Sequence, residues 1–562
     1  MTTALATTHV LSGLSTQAVR VEADLANGLP QFSIVGLPST AVREARDRVR
    51  AALVNGGFGF PDRRVTINLA PADLPKDSGR FDLAIALSIL AAFEKIPASA
   101  LGGWVFAGEL SLSGELLPIR AAFAYGLSVA RGFQASSVTG MRLMAPAANA
   151  AELALLGPEQ PIVCVENLQE ACAVVQGRAP GRRPIELLAH PDRAISPNIR
   201  ISKSADTDDG ADRTQEADAE RPLRWESIRG QEMAQYAAMV AAAGHHSLLL
   251  LGPPGVGKSM IAERLVGLIP PLKTAEAQEV LALESLDLPA SADPMRLVRY
   301  RQGLWRRPPF RAPHHTTSSK ALIGGGNPIR PGEISLAHRG VLFLDELPEF
   351  SRDALESLRE PLQTGEVRVV RVRDRQTLPA RVLLVAAMNP CPCGFYGVKQ
   401  SKKSCRCSAE QVARYQGRLS GPLLDRFELA IMLQPASEPV DSAEPQPGLC
   451  ALNDADGQPL TTEGRVRIVN AARERALARQ GCPNAQLTPE QLDRLDLIEP
   501  QARALLMQFV SRTDASLRVS DRLIRVAMTL ADLQGADRVG VPEMAQAIDL
   551  RRGLDRPAAL AE

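Results

Sequence analysis

The sequence predicts an α/β protein of several domains, and three observations lead to this prediction. The chain has 562 residues, of which 45% are hydrophobic, and this length exceeds what one hydrophobic core usually serves. Short apolar runs typical of buried parallel strands alternate with amphipathic helical stretches. The polar tract at residues 206–212 has no apolar periodicity, which indicates a solvated connection between an N-terminal part and the remainder.

These features predict five consecutive regions. In the first, a strand at 65–69 alternates with helices at 41–55, 82–93 and 121–131. The expected regions are an N-terminal α/β domain at 1–177, a linker at 178–221, a nucleotide-binding α/β module at 222–437, a loop at 438–460, and a helical region at 461–562.

A phosphate-binding loop follows the apolar run 248–251. The segment reads GPPGVGKS and fits the pattern G-x-x-x-x-G-K-[ST]; its residues are Gly252, Pro253, Pro254, Gly255, Val256, Gly257, Lys258 and Ser259. The glycines let backbone N–H groups turn toward phosphate oxygens at the start of the next helix. We expect Lys258 to reach the β- and γ-phosphates, and the Ser259 hydroxyl to coordinate Mg²⁺.

Two further apolar runs carry polar residues at their ends. The run 341–344 precedes Asp345, expected at Mg²⁺, and Glu346, expected to polarise the attacking water. The run 381–387 leads to Asn389, a candidate contact for the γ-phosphate or the water. An Asn that precedes a proline is also a common turn residue, and this alternative stays open for Asn389.

A phosphate loop, an acid pair and a polar residue after the next strand together resemble an AAA+ ATPase, an αβα module with a parallel sheet and a helical lid. The segment GPLLDRF at 421–427 resembles the magnesium-chelatase and replicative-helicase branch. This resemblance implies that Arg426 is an arginine finger for a neighbouring subunit in a hexameric ring. It also implies that Arg518 contacts the γ-phosphate as a second sensor, with Arg522 and Arg525 as alternatives. Residues 225–231 resemble the adenine-pocket segment, which favours ATP.

Two stretches resemble the insertions with which this branch grips DNA, at 322–334 and at 365–376. In the second, Arg371, Arg373 and Arg375 repeat at the period of a strand, toward the turn of a hairpin. Arginines there suit a phosphate backbone and predict sequence-independent, salt-sensitive binding. The alternative is a solvated edge strand whose charges prevent aggregation.

Four of the eight cysteines form two close pairs within residues 391–410: Cys391, Cys393, Cys405 and Cys407. Four thiolates suit one structural Zn²⁺, and a cluster of reduced thiols is the alternative. The other cysteines are scattered, and no apolar run is long enough to span a membrane. We expect no signal peptide, because the N-terminal residues lack a basic segment followed by a long apolar core. We therefore expect a cytoplasmic protein. Its net charge of +1 means that any DNA binding depends on local arginine clusters.

The N-terminal segments 74–79 and 108–119 resemble the Lon/S5-like proteolytic fold. In that resemblance Arg80 occupies the position of the nucleophile and Phe123 that of the lysine. Ser78 lies nearby, but no base is evident at the matching position to activate its hydroxyl. The resemblance therefore implies a non-proteolytic Lon-like domain.

Across nearly its whole length the chain resembles the YifB/ComM family, most clearly at residues 31–38, 311–316 and 389–394. The resemblance implies an ATP-driven hexameric DNA helicase or branch-migration motor that acts on single-stranded and branched DNA during natural transformation. A chelatase-like regulatory ATPase and a protein-remodelling ATPase are the alternatives. His314 and His315 lie in one of these segments, and as adjacent residues they are expected to point to different sides, without a catalytic or metal role.

Overall fold

The computed structural model describes residues 2–36, 40–72, 74, 78–135, 140–188, 224–287, 304–326, 329–370, 375–398, 404–435, 459–513 and 516–553. The strands of these ranges are β1 (Thr2–Ser12), β2 (Ser15–Ala26), β3 (Gln31–Val35), β4 (Arg64–Ala70), β5 (Trp104–Phe106), β6 (Glu109–Leu110), β7 (Leu116–Leu117), β8 (Arg142–Pro146), β9 (Ile162–Val165), β10 (Leu248–Leu251), β11 (Phe310–Arg311), β12 (Gly324–Gly325), β13 (Arg330–Pro331), β14 (Val341–Leu344), β15 (Glu366–Val370), β16 (Arg375–Pro379), β17 (Leu383–Met388) and β18 (Leu429–Met432). The helices are α1 (Thr40–Asn55), α2 (Asp82–Ala92), α3 (Ala122–Ala135), α4 (Ala150–Ala154), α5 (Leu168–Val175), α6 (Pro184–Leu188), α7 (Glu232–Gly244), α8 (Lys258–Leu265), α9 (Thr274–Asp287), α10 (Ser319–Ile323), α11 (Glu333–Leu336), α12 (Arg352–Ser357), α13 (Arg359–Thr364), α14 (Ala409–Gln416), α15 (Gly421–Leu424), α16 (Thr462–Gln480), α17 (Pro489–Leu495), α18 (Pro500–Thr513), α19 (Leu517–Gln534) and α20 (Val541–Asp549).

The N-terminal part packs two sheets around one buried helix. The first sheet has the order β1-β2-β4-β3, and the second has the parallel order β5-β8-β9. Helix α2 is apolar on all sides and buried along its whole length, as expected for a helix inside a core. Its one carboxylate, Asp82, is held by Arg48, whose Nε lies 2.8 Å from Oδ2. A buried charge needs such a partner.

Residues 178–188, which the sequence analysis places in the linker, make contacts with the N-terminal part. The backbone N–H of Cys164 donates to the carbonyl of Arg182, and the Arg182 guanidinium pairs with Glu170 at 2.6 Å. Helix α6 follows, and its Leu187 is buried against the N-terminal core. The composition of this stretch resembles a linker, but three specific contacts fix it. Residues 189–223 lie outside the described residues.

The second part contains a five-stranded parallel sheet in the order β11-β14-β17-β10-β18, which confirms the predicted α/β class. The three central strands are buried along their whole length, as their apolar sequences predict. Leu248 and Leu251 of β10 stand beside Leu429 and Met432 of β18, so these two strands begin and end together. The carboxyl ends of the strands therefore form one edge of the sheet.

Helices α16–α20 share an apolar core with this sheet and with α7, and buried polar groups join them to the amino end of the sheet. His246, which is fully buried, lies 2.6 Å from Glu428 through Nδ1 and 2.7 Å from Thr529 of α19 through Nε2. Asn484 donates to the same Thr529 oxygen, at 3.0 Å. Buried polar groups that are satisfied in this way specify one arrangement of the packed elements.

The two parts of the chain contact each other through α9 and the β15–β16 hairpin. Leu283 and Leu286 of α9 share an apolar cluster with α3, and the Arg120 guanidinium donates to the Leu286 carbonyl at 2.9 Å. Leu378 of β16 belongs to the same cluster, and Gln376 donates to the Ser12 hydroxyl at 3.4 Å. The hairpin thus contacts the N-terminal part along β16, from Leu378 to Gln376, the second residue of the strand after the turn.

Candidate active site

The phosphate loop lies at the carboxyl edge of the parallel sheet, directly after β10. Gly252, Gly255 and Gly257 have φ values of +158°, +82° and +92°, which favour glycine. At Gly252 a Cβ would also lie 2.8 Å from the Leu433 carbonyl oxygen, so the close approach of β18 excludes a side chain. The loop leads into α8, whose first residue is Lys258.

Lys258 stands at the centre of the loop and is buried. Its ammonium donates to the carbonyls of Gly252 and Pro253, at 2.8 and 2.9 Å, and to Asn389 Oδ1 at 3.0 Å. Burial lowers the pKa of this group, and the nearby charges of Asp345 and Glu346 oppose the shift. The phosphate loop and the end of β17 therefore meet at one ammonium group.

The acid pair follows β14 at the same edge. Ser259 Oγ donates to Asp345 Oδ2 at 2.8 Å, which brings together two oxygen ligands of the kind that Mg²⁺ prefers. Glu346 has φ +50°, a conformation that few side chains adopt, and its N–H donates to Asp345 Oδ1 at 2.8 Å. Strained backbone of this kind is concentrated at functional sites.

His315 joins this site, contrary to the expectation drawn from the sequence. Its Nδ1 lies 3.2 Å from Glu346 Oε2. The rings of His314 and His315 do not point to different sides, because their centroids are 4.1 Å apart. The loop after β11 is not an extended strand, so alternation does not apply to it. The contact depends on the pairing of β11 with β14, in which Phe310 and Arg311 stand beside Val341 and Leu342, and no local sequence pattern shows that pairing.

Arg426 and Arg518 do not lie at this edge. Arg426 precedes β18, at the amino end of the sheet, where its Nη2 donates to Gln363 at 2.8 Å. Burial lowers the pKa of Arg426, and the neighbouring charges of Arg359 and Arg518 lower it further. Arg518 is therefore near Arg426. Four residues of parallel strand, a rise of about 13 Å, separate this amino edge from the phosphate loop.

The four clustered cysteines lie close together, as their spacing predicts. Their Sγ atoms are all within 4.8 Å of one another, and Cys391 lies 3.3 Å from Cys393 and 3.7 Å from Cys405. These separations are too long for a disulfide. They match the roughly 3.8 Å between sulfurs that share one tetrahedral Zn²⁺.

The cysteine segment packs against the phosphate loop. A Cβ added at Gly394, whose φ is +85°, would lie 2.6 Å from Pro254 Cδ. The Gln416 amide of α14 donates to the Pro390 carbonyl at 3.0 Å and holds the other side of the segment. A metal bound by the cysteines would therefore stabilise the surroundings of both Asn389 and the loop.

The predicted arginine hairpin is present as β15 and β16. Val367 and Val369 are buried while Arg368 between them is exposed, as the alternation predicts. Arg371 and Arg373 lie outside the described residues, and for Arg375 only the backbone, paired with Val370, is described.

In the N-terminal part, Arg80 occupies the position that the resemblance gives to a nucleophile. It is 8% exposed, and its guanidinium lies over the Tyr125 ring at 5.0 Å. Phe123, at the position of the lysine, is buried. Neither side chain supplies a nucleophile or a base.

Comparison with known proteins adds to this geometry. Three family models match the chain: "Magnesium chelatase, subunit ChlI" at residues 224–440, "Subunit ChlI of Mg-chelatase" at 21–139, and "Magnesium chelatase, subunit ChlI C-terminal" at 461–551. The uncharacterized protein YifB of Salmonella typhimurium is 38% identical over 556 residues, which cover 99% of this chain and 98% of that protein. The competence protein ComM of Haemophilus influenzae is 37% identical over 551 residues, 98% of each chain. The chain belongs to the YifB/ComM family.

This YifB/ComM protein is also similar to chelatase subunits over a shorter region. The magnesium-chelatase 38 kDa subunit of Cereibacter sphaeroides is 27% identical over 222 residues, 38% of this chain and 58% of that subunit. The magnesium-chelatase family models match both the N-terminal part, at residues 21–139, and the nucleotide-binding part, at 224–440. Among the described residues, no helix is both long and apolar enough to cross a membrane.

Proposed function

We propose that this chain is an ATP- and Mg²⁺-dependent motor that assembles as a hexameric ring in the cytoplasm. It moves single-stranded and branched DNA, as a helicase or branch-migration enzyme, during the integration of DNA taken up by natural transformation. The observation that carries the proposal is the convergence of three strand ends on one site: Lys258 lies 3.0 Å from Asn389, and Ser259 lies 2.8 Å from Asp345.

Each residue of the site has its own role in the proposed ATP hydrolysis. Lys258 binds the β- and γ-phosphates after giving up its present carbonyl partners. Ser259 and Asp345 would hold Mg²⁺, which supplies charge neutralisation on the phosphate oxygens. Glu346 orients the attacking water and accepts its proton, while Asn389 contacts the γ-phosphate or the same water. The phosphate-loop amides complete the site, from Gly252, Gly255, Val256, Gly257, Lys258 and Ser259.

The arginines act on a neighbouring subunit's nucleotide. Arg426 lies at the sheet edge opposite its own phosphate loop, too far away to reach it, and Arg518 lies beside Arg426. A guanidinium that reaches a phosphate across a subunit contact stabilises the charge of the transition state. The Arg518 contact with the γ-phosphate is therefore proposed to be made in the neighbouring subunit's site.

DNA binding is assigned to the hairpin of β15 and β16. Its exposed Arg368, together with Arg371, Arg373 and Arg375, offers guanidinium groups to a phosphate backbone without reading bases. A full-length relative bears the name competence protein, which supports the link to DNA uptake. Protein-threading rings favour aromatic residues at such a position, and this hairpin has none.

The four cysteines would hold one structural Zn²⁺. The distances between their sulfurs fit a tetrahedral site, and none of the four lies in a disulfide. A bound metal there would fix a segment that has little apolar core of its own.

The proposal is tested by measuring ATP hydrolysis of the purified protein with and without forked and four-way DNA, in parallel with strand displacement at low and moderate salt. We expect turnover that rises with DNA, strand displacement, and loss of both as salt increases. Glu346→Gln is the control and should bind ATP without hydrolysing it. Turnover that is indifferent to DNA would reject the motor and favour a chelatase-like or protein-remodelling ATPase.

A further inference from the structure

The four clustered cysteines differ in their access to solvent. Cys391 is fully buried, whereas Cys393, Cys405 and Cys407 are partly exposed. A structural metal site needs no exposed sulfur, and an exposed thiol beside a second thiol is the arrangement found where cysteines react with oxidants. The exposed side of the cluster can therefore meet a small reagent that the buried side cannot.

The pair best placed to form a disulfide is Cys393 with Cys405. Both thiols are partly exposed, and their Sγ atoms are 3.5 Å apart. A disulfide bond of about 2.05 Å would require these sulfurs to approach each other by roughly 1.5 Å. The contact between Cys391 and Cys393 is shorter, at 3.3 Å, but Cys391 is buried out of reach of an oxidant.

The reaction needs a two-electron oxidant, and a hydroperoxide is the chemical class that supplies one. One thiolate of the pair attacks a peroxide oxygen, the O–O bond breaks, and a sulfenic acid and a hydroxide ion form. The second thiolate attacks the sulfenic sulfur, so that the S–S bond forms while the S–O bond breaks and a second hydroxide leaves. The two sulfurs lose two electrons in total, and the peroxide gains them.

Cys393 is followed directly by the residue that packs on the phosphate loop. Gly394 approaches Pro254 so closely that an added Cβ would lie 2.6 Å from Pro254 Cδ. Close-packed contacts of this kind transmit a displacement, because there is no free space to absorb it. Movement of Cys393 toward Cys405 therefore disturbs the contact between Gly394 and the phosphate loop.

The other end of the cluster is held more firmly. Cys391 is buried, and the preceding Pro390 accepts a hydrogen bond from the Gln416 amide at 3.0 Å. Asn389, which contacts Lys258, lies on this held side. The displacement should therefore reach the loop that binds phosphates more than the residue proposed to contact the γ-phosphate or the attacking water, and it should alter ATP affinity more than kcat.

The same bond would also dismantle the proposed metal site. Cys391 and Cys407 would be the two thiolates left of the four. A structural Zn²⁺ site normally has four protein ligands, so two thiolates would not retain the ion. The loss of the metal would loosen the segment further and act in the same direction.

We propose that Cys393 and Cys405 form a thiol–disulfide modification site, which a hydroperoxide closes and which then weakens ATP binding at the adjacent phosphate loop. The inference rests on the proposed function, because it takes the phosphate loop as the ATP site. In a reducing compartment such a bond is transient, and thiols reopen it by exchange. The motor would thus stop under oxidative conditions and recover afterwards.

The test treats the reduced full-length protein with hydrogen peroxide and follows three quantities. Mass spectrometry after alkylation maps the disulfides, a chromogenic chelator detects released zinc, and titration with a fluorescent ATP analogue measures affinity. We expect a bond between Cys393 and Cys405 and binding that is weaker by roughly three- to ten-fold, the effect of losing one stabilising contact. Dithiothreitol should restore the affinity.

Three variants separate the disulfide from other effects of peroxide. Cys393→Ser should show the same affinity before and after treatment, whereas Cys482→Ser, outside the cluster, should respond like the wild type. Cys407→Ser removes one proposed metal ligand but keeps the reactive pair, so peroxide should still weaken its ATP binding. If Cys393→Ser does not fold, Cys405→Ser makes the same comparison.

A disulfide map without this pair would overturn the proposal, as would an unchanged affinity of the oxidised wild type. An equal response in Cys393→Ser, or no response in Cys407→Ser, would also overturn it, because the disulfide would then not be the cause. Failure of the proposed function looks different: reduced protein that binds no ATP analogue removes the phosphate-loop assignment, and turnover indifferent to DNA removes the motor, while the disulfide map is unaffected by either.

Discussion

Lys258 contacts the ends of two strands, β10 and β17, through a single charged group. Substituting it should therefore weaken ATP binding more than the loss of one neutral hydrogen bond would. The ammonium has three oxygen partners that phosphates would replace. Hydrogen bonds to charged groups contribute about 1.5–3 kcal/mol each. We expect Lys258→Ala to weaken ATP binding at least ~100-fold, measured by titration with a fluorescent ATP analogue. Binding within a few-fold of the wild type would contradict the assigned phosphate contact.

His245 makes stability sensitive to acid. It is partly buried at the end of α7 with φ +64°, and desolvation, reinforced by the charge of Arg473, lowers its pKa from 6.5 to about 3. Below pH 6.5, His245 therefore binds a proton in the unfolded chain but not in the folded chain. The free energy of unfolding falls as the pH falls from 6.5 toward 3. Asn tolerates this backbone conformation without a titrating ring.

We expect the unfolding free energy of the wild type to fall by ~2 kcal/mol more than that of His245→Asn between pH 7.5 and pH 5. Urea unfolding at both pH values, followed by circular dichroism, measures this difference. The comparison of the two proteins isolates the contribution of residue 245. Equal decreases in the unfolding free energy of the two proteins would show that His245 does not cause the acid sensitivity.

Among the elements, the cysteine segment should make ATP binding depend on whether its metal is bound. Its Gly394 packs against Pro254 of the phosphate loop, so loosening the segment disturbs that loop. We expect the purified protein to contain about one zinc per chain, and Cys393→Ser/Cys405→Ser to lose it. The double variant should show a raised KM for ATP, whereas Cys482→Ser, outside the cluster, should not. Metal-free wild type with an unchanged KM would reject the site.

The sequence predicts an element well when the pattern that specifies it lies within the element's own residues. The strands β10, β14 and β17 are apolar runs with clear ends, so their positions and the converging residues behind them follow from the pattern. The contact of His315 with Glu346 depends on how β11 pairs with β14, and the position of Arg518 depends on how α19 packs near Arg426; neither is encoded near the residue itself. In residues 178–188, the contacts with the N-terminal part, such as that of Arg182 with Glu170, cannot be read from the polar composition that predicts a linker.

At the scale of the whole molecule, Arg426 and the phosphate loop lie at opposite ends of the sheet. This placement predicts that ATP hydrolysis at one subunit's phosphate loop depends on the arginines of a neighbouring subunit. We expect Arg426→Ala and Arg518→Ala to bind ATP almost normally and to lose most hydrolysis. Mixing Arg426→Ala with Lys258→Ala should restore part of the activity, because a mixed ring contains some sites with an intact loop and an intact arginine. Measuring turnover across mixing ratios checks this, and normal turnover by Arg426→Ala alone would exclude shared sites.

The parallel register of β10 with β18 also has a kinetic consequence. In the proposed ring, every site takes its acid pair from one chain and its arginines from the next, so the rate per chain should not be constant on dilution. At low concentration, turnover should rise with a power of the protein concentration greater than one and become proportional to concentration only when rings are complete. A dispersed chain would retain nucleotide affinity yet turn over almost nothing, so the cellular abundance of the protein would itself set whether it works.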